Sequence, residues 1–348
     1  MAKVAVAMSG GTDSSVAALL LKQQGHSVFG ITMQIQSDES ADRTIEDART
    51  VADALQIPHH VVDLQETFAD SVIRPFCLAY VRGATPNPCI LCNYYVKFGA
   101  LLTKARAQGA ELMATGHYAR VGKLGERYLL RKGVDAAKDQ SYFLYMLRQH
   151  QLAQVLMPLG DLTRVEVEEA AQRENLPVRA SESQDICFIP GNDYAAFVEG
   201  QYPSASAPGP IVDRENNLLG EHEGILHYTI GQRRGLGISA SDPLYVVGIK
   251  PETNTIVVGP KGEVYSSELV ASDLNWIAVE EPRSLSVNAR IRYAQRETKA
   301  FVEPLEDGGV HVRFDKPQMA VAPGQSVVFY DGDVVVGGGR IVKIGLPV

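Results

Sequence analysis

The sequence predicts a chain of the α/β class, in which a parallel-sheet domain is followed by a small central β-rich domain and a C-terminal β-barrel. In the first half, short buried apolar runs alternate with segments of helical periodicity. A stretch rich in Pro, Ser and Ala, residues 202–210, then marks a change of composition. Beyond it, short strand-like runs are separated by Gly, Pro, Asp and Asn, which is typical of small barrels.

The alternation of strands and helices favours a parallel sheet covered on both faces. Strands are predicted at residues 3–8, 27–33, 59–64 and 111–115, and helices at 14–24, 41–55, 67–80 and 94–108. A helical stretch is expected over 141–175, with a helix start at 161–163. Later strands are predicted at 244–249, 255–258, 286–293, 310–314, 326–330 and 334–344. Ligands of a parallel sheet bind at the carboxyl ends of its strands, so site residues are expected there.

The composition excludes several classes of protein. The chain has 348 residues, of which 45% are hydrophobic and 21% charged, which suits a globular protein of several domains without disulfide staples. The first residues lack the pattern of a signal peptide and no apolar run is long enough to span a bilayer, so we expect a cytoplasmic protein without a membrane partner. Because the net charge is −8, any nucleic acid must bind to local basic clusters.

A glycine-rich turn at residues 8–15 joins the first predicted strand to the first predicted helix. Gly10 and Gly11 let the backbone approach an anion, and amides at a helix start favour phosphate. Hydroxyl donors are added by Ser9, Thr12, Ser14 and Ser15. Asp13 beside phosphate would require Mg²⁺ between the two charges. The turn matches neither the Walker A nor the GxGxxG pattern, and the alternative is a strand–helix turn capped by Ser or Asp.

Four cysteines leave several interpretations open. Cys89 and Cys92 form a CxxC pair, Cys187 stands alone, and Cys77 lies in an apolar run. A zinc site would need a fourth ligand, from Cys77 or a histidine. A helix beginning at Asn93 would lower the pKa of Cys92 and favour redox chemistry. Burial as small hydrophobic side chains is the remaining interpretation, which we favour for Cys77.

The turn SGGTDSS resembles the SGGxDSS signature of the ATP-pyrophosphatases, the PP-loop family, which adenylate a carbonyl or carboxylate oxygen. Further motifs follow in order along the chain: TPNPCxxCN from Thr85, TGHY from Thr115, KDQSYFL from Lys138, ICFI from Ile186 and PGQS from Pro323. Together they resemble the bacterial tRNA-specific 2-thiouridylases. The resemblance implies a PP-loop ATP-pyrophosphatase domain over residues 1–201, a central β-rich domain over 202–265, and a tRNA-contacting C-terminal β-barrel over 266–348.

The activity that the resemblance implies is sulfurtransfer to tRNA. ATP would adenylate the C2 oxygen of the wobble uridine, and sulfur from a persulfide on Cys187 would give 2-thiouridine, AMP and pyrophosphate, with Cys92 as nucleophile. The residues implied to bind ATP with Mg²⁺ are Ala7, Met8, Ser9, Gly10, Gly11, Thr12, Asp13, Ser14, Ser15, Met33 and Gly116. Those implied to contact tRNA are Asn87, Pro88, Cys89, His117, Lys138, Asp139, Gln140, Arg292, Tyr293 and Gln325.

Two departures from the family pattern concern sulfur handling. Cys89 stands where some members have Asp, and Gln184-Asp185 stand where many have Thr-Gly. The three cysteines Cys89, Cys92 and Cys187 would suit a second hypothesis, a [4Fe–4S] cluster with one open iron. The implied partners are the anticodon loop of tRNA and either a sulfur-donor protein or sulfide.

Three other functions remain open from the sequence. The chain could be a PP-loop enzyme that adenylates a small carboxylate or a different tRNA base. It could be an RNA-binding metal or cluster module in which ATP is structural, or a sulfur carrier without catalysis. Local basic clusters, Arg131-Lys132 with Lys138, Arg233-Arg234, and Arg292 with Arg296, are available for RNA phosphates. Pyrophosphate release that depends on tRNA would separate the enzyme from the other two classes.

Overall fold

The computed structural model describes residues 1–178, 186–280 and 284–345. Its first seven strands are β1 Lys3–Ala7, β2 Ser27–Gln34, β3 His59–Asp63, β4 Leu112–Ala114, β5 Ala119–Leu124, β6 Arg127–Lys132 and β7 Val155–Leu156. Five of them form a parallel sheet in the order β3-β2-β1-β4-β7. The carboxyl ends of β1, β2 and β4 therefore lie side by side along one edge.

Helices cover this sheet. They are α1 Thr12–Gln23, α2 Glu39–Ala54, α3 Gln65–Phe68, α4 Arg74–Val81, α5 Pro88–Leu91, α6 Leu102–Ala107, α7 Gln149–Leu152, α8 Arg164–Arg173 and α9 Tyr194–Gln201. Segments of π-helix join α3 to α4, at Ala69–Ile73, and α5 to α6, at Cys92–Leu101. The chain from Pro88 to Ala107 is thus one continuous helix with a π-helical centre.

Strand β1 explains why both faces of the sheet are covered. Val4 and Val6 pack with α1 and α2 in one hydrophobic cluster, whereas Ala5 packs in the other. Successive side chains of a strand point to opposite faces, so an uninterrupted apolar run needs a core on each side. The predicted parallel sheet with helices on both faces is confirmed.

Two β-rich units follow. The central one has strands β8 Gly209–Val212, β9 Leu218–His222, β10 Leu244–Lys250 and β11 Thr255–Pro260. The C-terminal one has β12 Tyr265–Trp276, β13 Leu285–Arg290, β14 Thr298–Pro304, β15 Val310–Met319, β16 Ser326–Asp331 and β17 Val334–Ile344. Because β12 pairs with both β15 and β17, these strands close on themselves. The predicted C-terminal barrel is therefore confirmed.

The hairpin β5–β6 connects the α/β domain to the C-terminal barrel. Strand β6 pairs with β17, through Arg131 and Val334. The carboxylate of Asp333 accepts hydrogen bonds from Arg120, at 2.9 Å, and from Arg131. The sequence did not predict this hairpin, because its polar, charged alternation is weak and its partner strand lies in another domain.

The expected long helical stretch over 141–175 is wrong. The chain there forms a 3₁₀ turn at Ser141–Leu144, the short helix α7, strand β7 and helix α8. Gly160 lies in the turn before α8 and packs closely on β5, since a Cβ at this position would lie 2.0 Å from the carbonyl oxygen of Ala119. The predicted helix start is confirmed, because Thr163 and Glu166 form a capping box on α8.

Several strands of the β units were also missed: β8, β9, β12 and β14 carry polar residues or glycines that interrupt their apolar pattern. None of the helices in the described ranges combines the length and apolar character that crossing a membrane requires.

Candidate active site

The glycine-rich loop lies between β1 and α1, at the carboxyl edge of the parallel sheet. Gly10 has a φ of +72°, and a Cβ there would lie 2.3 Å from the Cβ of Asp47 on α2. Gly11 is the N-cap of α1, and no described side chain caps the amides of the first turn. Those amides, at the positive end of the helix dipole, form a site that favours phosphate.

The serine hydroxyls of the loop brace its backbone. Ser14 Oγ accepts from the amide of Ser9, at 3.2 Å, and donates to the carbonyl of Gly11, at 3.1 Å. Ser15 Oγ donates to the same carbonyl at 2.8 Å and is fully buried. We expected these hydroxyls to face an anion. In this structure the hydroxyls of Ser14 and Ser15 both donate to the carbonyl of Gly11 and so hold the loop in shape; their contact with ATP stays a prediction.

Asp13 is held by two donors from distant segments. Its Oδ1 accepts from Tyr118 Oη and from Arg164 Nη1, both at 2.8 Å. Asp13 is therefore paired with a guanidinium, which neutralises its charge beside the phosphate site. Neither Tyr118 nor Arg164 was assigned to the ATP site from the sequence, although Arg164 follows the predicted cap Thr163 directly.

Gly116 and Met33 come to this loop from the neighbouring strands. A Cβ on Gly116, which follows β4, would lie 2.7 Å from the carbonyl carbon of Asp13 and 2.8 Å from the amide of Ser14. Met33 is half-buried near the end of β2, beyond the register partner of Ala7. The structure thus gathers Ala7, Gly10, Met33 and Gly116 at one edge of the sheet, where the sequence placed them.

The CxxC pair sits at the start of the continuous helix that runs from Pro88. Asn87 caps this helix, since its side-chain oxygen accepts from the amide of Cys89 at 3.1 Å. Pro88 occupies the first helical position, where a missing amide costs nothing. The helix therefore starts before Cys89, and the expectation of a helix start at Asn93 with a lowered pKa for Cys92 is wrong.

The environment of the thiols opposes their ionisation. Burial raises the pKa of the Cys92 thiol to about 12. The nearby positive charge of Lys97 lowers this pKa in part, and the neighbouring sulfurs of Cys187 and Cys89 raise it further. Cys89 and Cys187 reach solvent, yet desolvation by the surrounding protein still raises the pKa of each. Cys92 and Cys187, distant in sequence, are thus near enough for their charges to interact. Cys77 is fully buried, as expected, and lies in the core.

His117 follows β4 and faces the same region. Its Nδ1 lies 2.7 Å from Thr115 Oγ1, and its ring lies against Phe98 at 5.7 Å. Burial, helped by the positive charge of Lys97, lowers the pKa of His117 well below its usual value. The imidazole is therefore neutral at physiological pH, and at this position it offers hydrogen bonds rather than charge.

A first group of the residues implied to contact tRNA is gathered around the segment 138–140. The amide of Tyr118, next to His117, donates to Gln140 Oε1 at 3.0 Å. Arg290, which the sequence did not single out, lies over the ring of Tyr293 at 5.2 Å and pairs with Asp139 at 3.4 Å. Asp139 is buried and also accepts from Ser141 and Gly133. Its carboxylate therefore shapes the loop that presents Lys138 and Gln140.

A second group lies where the C-terminal barrel meets the cysteine-bearing helix. Gln325 Nε2 donates to the carbonyl of Thr85 at 2.8 Å, and the amide of Thr85 donates to Pro323 at 2.8 Å. Arg292 Nη2 donates to the carbonyl of Ala320 at 2.7 Å. The structure thus brings Gln325 beside Thr85, whereas Arg292 bonds to the carbonyls of Ala320 and of Ile230 in the central unit. Gln184 and Asp185 lie outside the described residues.

The fold and these motifs define the chain as a protein with an ATP-pyrophosphatase-like domain, and comparison with known families agrees. The model of the tRNA methyl transferase HUP domain matches residues 2–191. The model of the tRNA methyl transferase PRC-barrel domain matches 195–260, and that of the aminomethyltransferase beta-barrel domain matches 266–341.

The relatives are more specific. A tRNA-specific 2-thiouridylase MnmA of Caldanaerobacter subterraneus subsp. tengcongensis is 49% identical over 98% of both chains. Another, of Acetivibrio thermocellus, is 49% identical over 97% of this chain and 99% of its own. The chain belongs to the tRNA-specific 2-thiouridylase family. Among solved structures, the U34-tRNA thiolase NcsA of Methanococcus maripaludis is 18% identical, with a TM-score of 0.37, and covers 58% of this chain and 67% of that chain. No residue of this chain is given a role on the basis of that likeness.

Proposed function

We propose that this protein is a sulfurtransferase that converts the wobble uridine of tRNA to 2-thiouridine with consumption of ATP. The observation that carries the proposal is that Cys92 packs in one hydrophobic cluster with Phe188 and Ile189, which directly follow Cys187, in the α/β domain that also carries the glycine-rich loop. Family membership supports the same reaction. The substrate tRNA and the need for a thiol reductant favour a cytoplasmic location.

The adenylation step uses the glycine-rich loop. The amides at the start of α1 would hold the pyrophosphate part of ATP while the C2 oxygen of uridine attacks the α-phosphorus. An O–P bond forms, the bond to pyrophosphate breaks, and AMP becomes the group that leaves C2. Because Asp13 Oδ1 already accepts from Arg164 and Tyr118, we assign Mg²⁺ to the ATP substrate rather than to a site held by this carboxylate.

The sulfur step uses the cysteines. The terminal sulfur of a persulfide anion on Cys187 attacks C2, a C–S bond forms, and AMP leaves with the electron pair of the C–O bond. The Cys92 thiolate then attacks the Cys187 sulfur. That S–S bond breaks toward the sulfur now on C2, and a Cys92–Cys187 disulfide forms, which a dithiol reductant returns to two thiols. In a variant of this scheme, Cys92 first frees hydrosulfide, which attacks C2.

The implied tRNA contacts fit the position of the two groups of residues. Lys138, Gln140 and Tyr293 offer a charge, an amide and a ring in the first group, and Gln325 lies beside the segment that carries Asn87 in the second. A stacked base must leave its neighbours to expose C2, and single-stranded loops allow this. The sulfur source would be a donor protein or sulfide.

Nucleoside mass spectrometry tests this function. We expect tRNA incubated with ATP, Mg²⁺, a persulfide donor and the wild-type protein to gain 2-thiouridine, whereas Cys187→Ser abolishes this thiolation and retains tRNA-dependent release of pyrophosphate. Cys77→Ala, a change in the hydrophobic core, is the matched control. Thiolation by Cys187→Ser at the wild-type rate would refute the persulfide step.

The second hypothesis for sulfur handling is a [4Fe–4S] cluster on Cys89, Cys92 and Cys187. Within the described residues, no group of three Cys, His, Asp or Glu side chains lies close enough to hold a metal ion. The residues as placed therefore do not fit a cluster, and no step is derived through one. Anaerobic purification with iron analysis decides, because an iron-free protein that is active would exclude the cluster.

A further inference from the structure

We propose that Lys97 is a residue of the sulfur-transfer step, whose ammonium stabilises the anionic sulfurs of Cys92 and Cys187. This inference deepens the proposed function and rests on it. Lys97 lies four residues beyond the TPNPCxxCN motif, and the sequence alone gives it no role.

The π-helical segment Cys92–Leu101 gives the geometric argument. In a π-helix the hydrogen bonds join residues five apart, so residues i and i+5 lie nearly one above the other. Cys92 and Lys97 have this spacing. In a regular α-helix, with 3.6 residues per turn, the fifth residue would lie about 140° around the axis from the first. The change of helix type therefore turns Lys97 toward the face that carries Cys92.

The surroundings of Lys97 support the same placement. Its charge acts on Cys89, Cys92, Cys187 and His117, which come from three separate segments of the chain. Desolvation holds the pKa of each of the three thiols above its usual value, and the positive charge of Lys97 lowers each pKa in part. Among residues 1–178, 186–280 and 284–345, no carboxylate forms an ion pair with Lys97. Its charge is thus directed to the sulfurs.

This placement meets a need of the chemistry. Cys92 is buried and its thiol resists ionisation, yet both sulfur steps require an anionic sulfur. His117 is neutral and cannot supply a positive charge. An ammonium beside the sulfurs lowers the energy of the anion at the moment of attack.

Three variants test the inference: Lys97→Met removes the charge, Lys97→Arg keeps it, and Lys104→Met removes an exposed lysine later on the same helix. We expect Lys97→Met to slow tRNA thiolation at saturating substrates on the order of a hundredfold, as for loss of one preorganised catalytic donor. The KM for tRNA and the release of pyrophosphate should stay near wild type. Lys97→Arg should recover at least a tenth of the activity, and Lys104→Met should behave as wild type.

A second measurement needs neither tRNA nor thiolation. The rate at which iodoacetamide alkylates Cys187 at fixed neutral pH, followed by peptide mass spectrometry, reports its thiolate fraction. We expect this rate to fall severalfold in Lys97→Met and to be unchanged in Lys104→Met.

The outcomes separate the alternatives. A raised KM for tRNA with an unchanged maximal rate would make Lys97 a phosphate contact, and a parallel loss of pyrophosphate release would make it structural; either result overturns the inference. If Lys97→Met melts at a much lower temperature than wild type, Lys97→Gln takes its place in both measurements. Lys97→Arg, which keeps the charge, should then alkylate at Cys187 faster than Lys97→Gln. Absence of thiolation by the wild-type protein would reject the proposed function, whereas an unchanged alkylation rate in folded Lys97→Met would reject only the role of Lys97.

Discussion

The glycine-rich loop is held mostly by residues close to it in sequence, whereas the cysteine-bearing segment is held by all three structural units. Ser14 and Ser15 brace the loop through Gly11, within one turn of helix. Thr85, at the start of the cysteine motif, bonds to Thr229 of the central unit and to Pro323 and Gln325 beside the C-terminal barrel. Gly324 has a φ of +91°, and a Cβ at this position would lie 3.0 Å from the amide nitrogen of Thr85.

This difference separates the two half-reactions physically. The ATP site depends on one sheet edge, on the helix that follows it and on the donors to Asp13, all of which lie within the α/β domain. The sulfur site depends on how the β units sit on the α/β domain, and those units also carry residues implied to contact tRNA. A change that distorts the loop should therefore damage both adenylation and thiolation. A change in the contacts of Thr85 should damage thiolation alone.

Gly116→Ala should give the largest effect on the ATP side. The new Cβ would lie 2.7 Å from the carbonyl carbon of Asp13, so the start of α1 must shift. Because a misplacement of about 1 Å can cost about a hundredfold in rate, we expect tRNA-dependent pyrophosphate release to fall by about that factor. Thiolation should fall in parallel.

Gly200→Ala is the matched control, since Gly200 is exposed in α9 and a Cβ there meets nothing within 4 Å. It should retain both activities. If Gly116→Ala lost thiolation and kept pyrophosphate release, the assignment of Gly116 to the ATP site would have to be abandoned.

Arg164→Met should have an intermediate effect. Arg164 Nη1 lies 2.8 Å from the carboxylate of Asp13, and its loss leaves that negative charge less compensated beside the phosphates. We expect the KM for ATP in pyrophosphate release to rise about tenfold, which corresponds to about 1.4 kcal/mol of binding free energy. The rate at saturating ATP should change little. Arg173→Met, at the exposed far end of α8, should leave this KM unchanged; equal KM values for the two variants would count against the role of Arg164.

The two sites also differed in how far the sequence could predict them. The loop follows from a local pattern, strand, glycines and helix, and the structure gathers its backbone where that pattern placed it. Arg164 and Tyr118 could not be assigned to it, because no local pattern tells which distant side chains will reach Asp13.

Prediction was weaker for the sulfur site because its geometry is not local. The motifs around Cys92 and Cys187 indicated sulfur chemistry, but the helix start was placed too late, since Asn87 and Pro88 begin it. A π-helix has no clear composition signal, so the alignment of Lys97 with Cys92 was invisible in the sequence. The hairpin β5–β6 was missed because its partner strand lies in the barrel.

Thr85→Val gives the smallest expected effect and tests the other half of the comparison. Thr85 Oγ1 lies 2.6 Å from Thr229 Oγ1, and valine keeps the shape of the side chain but removes this bond. The backbone bonds of Thr85 to Pro323 and Gln325 remain. Because a neutral hydrogen bond contributes about 1 kcal/mol, we expect the thiolation rate to fall about fivefold, with pyrophosphate release unchanged.

The partner variant makes this test specific. If the hydroxyl pair acts through its own bond, Thr229→Val should cause the same loss, and the double variant should be no slower than either single variant. Thr50→Val, which removes a hydroxyl that bonds within the exposed helix α2, serves as the control. Additive losses in the double variant would mean that each hydroxyl acts elsewhere. An equal fall in pyrophosphate release would mean that the contacts of Thr85 support the ATP site as well, and that the two sites are less independent than their contacts indicate.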